Sequence, residues 1–262
     1  MIDGASASLF NVQVAGPDLQ STNAAVDTRA VHVIDGTLYA VDSDIRAGIA
    51  NYSGSASGAT AASRAVVAGN SEVTLSHTHV FGSAALTSGP SGLTWSAGVR
   101  SRGGTLRLLR VIVEEARAQP QADGDGTVAA YGVWASGASE VEVVDAHIRN
   151  ITAKMDAPVV GFDATAVGLR IVDSPATVVD SKLTSLSATA DGGGTTTRGS
   201  SIIRSPELLL QNSRVLGGSA TVKAPGTRAR SIGLQLNECG DATVHGNFIM
   251  SQKATGESGG AS

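Results

Sequence analysis

Aromatic residues make up only 3% of this 262-residue chain, so the place where they gather with arginine stands out. Arg100, Trp134, Arg170 and Arg204 follow one another at intervals of 34, 36 and 34 residues; Tyr131 lies three residues before Trp134, and Trp95 five before Arg100. If that interval is a structural repeat, Trp134 sits between arginines of neighbouring units, where guanidinium groups stack over an indole face. Such a face suits a sugar ring or an anionic glycan. The plainer alternative is that arginine stems cover Trp134 and shield a strand.

Carboxylates form two further candidate groups. Asp145 and Asp180 are one repeat apart, which places like charges about one strand spacing, roughly 4.8 Å, from each other. That arrangement raises one pKa and serves an acid/base pair, or is filled by a cation. Arg110, one repeat earlier, offers the structural alternative of an exposed compensating ladder. Asp123 and Asp125 in the DGDG stretch, with Asp163 nearby, are the candidate metal ligands, and calcium is the candidate ion. The stretch lacks the spaced ligands and bidentate Glu of a calcium loop, and Asp-Gly is also ordinary turn chemistry. Gly124, Gly126 and Ala129 imitate a dinucleotide fingerprint without the helix that would present its N-terminus to a phosphate. Walker A, HExxH and CxxC are absent. Cys239 is the single cysteine, which forbids an internal disulfide and reads as a small turn residue.

Net charge of -4 and a pI near 5.7 argue against nucleic-acid binding by bulk electrostatics. No run of about 20 apolar residues suggests membrane insertion. What must position the candidates is a repeat. Val133 recurs as Val31, Val66, Val99, Leu169, Ile203 and Leu234, usually after Gly or Ala. The pair Val141 and Val143 and the single Ile148 recur in the same order through the chain, for example as Leu106, Leu108 and Val113 or as Leu208, Leu210 and Val215. Period-two alternation in short runs predicts strands rather than helices. The prediction is an all-β parallel β-helix, residues 1–262 forming one domain of about eight coils of roughly 30–36 residues, each with three short strands and one long loop. Asn51 to Arg64 and Ser187 to Gly199 read as such loops by their Ser, Thr, Ala and Gly content. Residues 1–29 read as a partial first coil and 251–262 as an uncapped C-terminal loop.

The phrases VVDSKL, LQNSRV and VHGNFI, each closing a two-strand pattern, resemble the right-handed parallel β-helix repeats of the pectin-lyase-like superfamily, in the noncatalytic, Ala/Ser/Gly-rich form found in bacterial surface proteins. That resemblance implies an extracellular or cell-surface location. Catalytic members of that superfamily act on polyuronates with signatures such as paired Asp, Gly-His-Gly or Asp-Pro-His, which this chain lacks. The expectation is a structural or adhesive solenoid that is not an enzyme, requires no cofactor, and partners further coils of a longer chain, its own copies stacked end to end, or a cell-surface glycan. The alternative is a polysaccharide-binding or polysaccharide-degrading protein, a lyase or glycoside hydrolase.

Overall fold

In the computed structural model the described residues are all-β, 74% of them in strands and none in a helix, and the chain winds through about seven turns of a parallel β-solenoid. The structure describes residues 1–262 apart from 24, 55–57, 88–91, 121–126, 157–162, 224–226, 251 and 257–262. Each coil has three faces. One coil runs through Val128–Ser136 on the first face, Glu140–Val144 on the second and His147–Met155 on the third. Each strand pairs in parallel with its equivalent one coil away, as in Val133 with Leu169, Val141 with Ala176 and Ile148 with Leu183.

Alternation along each strand turns one residue in two toward the interior. Stacking then converts the recurring apolar positions into ladders, and Val80, Val113, Ile148, Leu183 and Val215 form one of them, all at most 5% exposed. Full burial of such a side chain contributes about 1.5–3 kcal/mol, and the ladders merge into one continuous core.

Two columns of left-handed residues make the corners. Asp42, His77, Arg110, Asp145, Asp180 and Asn212, with φ between 48° and 55°, join the second face to the third. Asp35, Asn70, Asp173 and Arg204 do the same between the first and second. Asp and Asn tolerate this conformation; His77, Arg110 and Arg204 store strain of order 1–3 kcal/mol. The amide of every one of the six residues in the first column donates to a carbonyl of the next coil, including Asp145 to Val179 at 3.0 Å and Arg110 to Val144 at 2.9 Å. Just after the later corners, a small polar side chain accepts from the previous coil: Ser181 Oγ from the Ala146 amide, Ser213 Oγ from Ser181, and Asn247 Oδ1 from Ser213. Cys239 stands in the equivalent column of the other corner, its thiol 3.6 Å from the Ile202 carbonyl.

The expected long loops are largely strand. Asn51 and Tyr52 end one strand and Thr60–Arg64 begin the next; likewise Ser187–Ala190 and Gly194–Gly199 belong to paired strands. The two walls enclose a narrow extension of the core in which Ala50, Ala61, Ala188, Ala190, Thr195 and Thr197 are at most 1% exposed. Small residues fill it because larger ones would part the walls. Hydroxyls tie them, Ser63 Oγ donating to the Gly48 carbonyl and Ser96 Oγ to Ser83, both at 2.8 Å. Lys253–Gly256, in the expected terminal loop, pairs with Ser219–Val222. One register also changes: Leu169 pairs with Ser200 and not with Ile203.

Where the extension meets the main core, the first-face strand turns two consecutive residues inward, and Gly98, Gly132, Gly168, Gly199 and Gly233 occupy the first of these places. A Cβ on Gly132 would collide with the Ile148 side chain and lie 2.5 Å from the Gly168 carbonyl oxygen. Gly132→Ala is therefore expected to lose about 1–3 kcal/mol in a denaturant titration. Gly69→Ala, where an added Cβ meets nothing within 4 Å, is expected to stay within about 0.5 kcal/mol of wild type.

Candidate functional site

The first face gathers the arginines and tryptophans. Val67, Arg100, Trp134 and Arg170 occupy one outward column on four successive coils, and Ala62, Trp95 and Ala129 another. Cation and ring alternate across the coils: the Arg64 guanidinium lies 4.5 Å from the Trp95 ring centroid, Arg100 lies 4.8 Å from Trp95 and 4.9 Å from Trp134, and Arg170 lies 5.9 Å from Trp134. The two indoles meet edge to face at 6.0 Å, and Tyr131 packs 4.8 Å from Trp134. Each such contact contributes about 0.5–2 kcal/mol according to how dry it is.

The expected Arg100–Trp134–Arg170 neighbourhood is thus present, with Tyr131 against it. Arg204 is not part of it. Ser201 fills that place in the column, while Arg204 turns the corner and pairs with Asp173 at 2.6 Å. The misplacement has a plain cause: Ile203 matched the apolar mark, but the core at that point takes Ser200. Arg64 and Arg198 were not among the expected residues; both lie one coil beyond residues of the Tyr131 column, a position visible only once the register is known.

Charge on this face is unbalanced. Asp27 is shared by Arg29 and Arg64, whereas Arg100, Arg170 and Arg198 form no ion pair among the described residues. Burial pulls the Arg64, Arg100 and Arg198 pKa values down, with neighbouring arginines adding to the effect; guanidinium nevertheless stays charged. Burial pushes the Tyr131 phenol up. Among the described residues, Trp134 Nε1 and the Nε atoms of Arg64, Arg170 and Arg198 are buried donors with no acceptor. An unmet buried donor costs about 1–3 kcal/mol. Trp and Arg side chains donate and do not accept, so the chemistry offered is the binding of an acceptor-rich, anionic group.

The carboxylate candidates fall elsewhere. Asp145 and Asp180 are stacked corner residues bordering an open recess of about 400 Å³ that also presents His147, Lys182 and Arg214. Arg110 lies 3.8 Å from Asp145, both largely exposed, the compensating ladder that the sequence offered as the alternative. Asp163 begins a first-face strand opposite Gly194, beside Arg228 and Arg230. Asp123 and Asp125 lie outside the described residues. No group of three potential metal ligands occurs among the described residues.

A cluster on the third face had no counterpart in the sequence reading. Glu114, 6% exposed, accepts from His79 Nε2 at 2.6 Å and from Arg149 Nε. These three residues belong to successive coils, so the carboxylate bolts them together. The partners are 35 residues away on either side, beyond any local motif. No protein-family model, curated protein or solved structure matches the chain.

Burial alone would raise the Glu114 pKa, but hydrogen bonds from Arg149 and His79 hold it below the ordinary carboxylate value. Its stabilisation is full above the unfolded pKa of about 4.3 and is lost as pH falls through the lower folded value. Glu114→Gln is expected to cost about 3 kcal/mol at neutral pH. In unfolding titrations the gap to wild type should hold from about pH 7 to 5 and close below about pH 4; a gap unchanged at lower pH contradicts the assignment.

Proposed function

We propose that this protein is a noncatalytic adhesive β-solenoid of a bacterial cell-surface or extracellular protein, of the pectin-lyase-like repeat type, and that its first face holds acidic polysaccharide. The observation that carries the reading is the run of arginines without carboxylate partners among the described residues, laid over two tryptophans. A ligand rich in carboxylates or sulfates supplies the missing charge. Asp27, a carboxylate within the stack, is already held by two arginines, which supports binding rather than turnover. Acidic polysaccharides are envelope and matrix components, which supports the proposed location.

A second reading concerns the coil formed by residues 229–256. Val244, Phe248, Ile249 and Met250 are 44–50% exposed there, whereas Val215, one coil earlier, is 5% exposed. A further coil, of the same protein or of another copy, would cover them by apolar burial that salt leaves intact.

Retention on an immobilised acidic polysaccharide at low salt tests the first reading. Wild type is expected to be retained and released by salt. Arg170→Ala and Trp134→Ala, with β-structure verified by circular dichroism, should each weaken binding about 10-fold. Absence of retention by the wild type would remove the glycan reading.

A further inference from the structure

The second face has the opposite sign. Its outward residues at the strand starts stack as Glu72, Thr105 and Glu140, then, past Pro175, as Glu207 and Asp241. Arg107, the arginine among them, is already engaged by Glu72, Glu140 and Glu142 at 3.6, 2.7 and 3.5 Å. Glu207 and Asp241 have no basic partner among the described residues, and with Glu140 they border an open recess of about 670 Å³. On the first face, Arg100, Arg170 and Arg198 form no ion pair with a carboxylate among the described residues.

Both faces are ladders on one backbone, so their charges repeat with the same rise per coil, roughly 4.8 Å. Arg170 and Arg198 lie on successive coils in neighbouring columns, and Glu207 and Asp241 lie on successive coils of one column, so the two pairs match in pitch without distortion of either. We infer that copies of this chain associate side by side, the first face of one against the second face of the next, with Arg170 and Arg198 entering the recess bordered by Glu140, Glu207 and Asp241. The occupant is a second copy because the complementary surface, in sign and in pitch, is on the same molecule. Contact between different patches is heterologous, so it leaves each end of the row open for another copy. The acidic half of this contact has no part in glycan binding. An acidic polysaccharide would compete for the basic half.

Sedimentation velocity of the whole chain at salt concentrations of about 0.01 M and about 1 M, where screening lengths are about 30 Å and 3 Å, tests the inference. Concentration-dependent association is expected at low salt and its loss at high salt; a wild type that stays monomeric at low salt overturns the inference, and association that persists at high salt assigns the contact to the apolar coil end instead. Arg170→Glu/Arg198→Glu should remain monomeric, and so should Glu207→Arg/Asp241→Arg. The exposed pair Arg102→Glu/Arg230→Glu repeats the first-face reversal where folding is not at risk. Mixing a first-face variant with the second-face variant should restore association, because one then carries acidic and the other basic charge on both faces. Failure of the mixture to associate also overturns the inference. If lateral association holds while the wild type is not retained on acidic polysaccharide, only the glycan reading fails.

Discussion

Everything in this molecule depends on the hydrogen bond that a corner residue donates to the next coil. A β-strand edge needs a partner for each amide and carbonyl, and in most sheets the turns escape that demand by facing water. Here the corners are in the ladder too, as with Asp145 to Val179 and Asp180 to Gln211. The left-handed conformation at each corner makes this possible, and strain at His77 or Arg110 is tolerated because neighbouring coils hold the same shape above and below. Register is thereby fixed at the corners as well as along the faces, and any outward column becomes a straight row of side chains.

That constraint explains what the sequence could disclose. The apolar marks were legible because each returns to the same wall, as Val113, Ile148 and Leu183 do. The narrow extension was not. Its Ala, Ser, Thr and Gly composition is what a loop shows, and it is also what two closely spaced walls demand. Arg204 was misplaced for a related reason: an apolar Ile203 looked more like a core mark than Ser200, although Gly199 before Ser200 is the small residue that usually precedes that mark. The Arg–Trp alternation was legible in outline, through the spacing of Arg100, Trp134 and Arg170. The Glu114 cluster was invisible, since its partners are joined by stacking alone.

The straight rows also give the molecule its functional character. The described residues fill the interior of the coils with one continuous apolar core; what the solenoid offers is repetition along a face. On the first face the repeating element is guanidinium over indole, drier than a surface ion pair and so a stronger draw for an anion. On the second it is carboxylate shared around Arg107. Proposed adhesion to acidic polysaccharide and lateral packing of copies are two uses of one property, the matching of a periodic ligand by a periodic wall. Rows of this kind bind through many weak contacts, and avidity then exceeds the strength of any single one.

Amide hydrogen exchange read residue by residue tests the central claim most directly. If the corners belong to the ladder, the amides of His77, Arg110, Asp145 and Asp180 exchange as slowly as those of Val143 and Ile148 in the adjoining strands, because opening any of them requires parting two coils. Corner amides that exchange at the rate of freely solvated turns, while the strands stay protected, would contradict it: the coils would then be held by their faces alone.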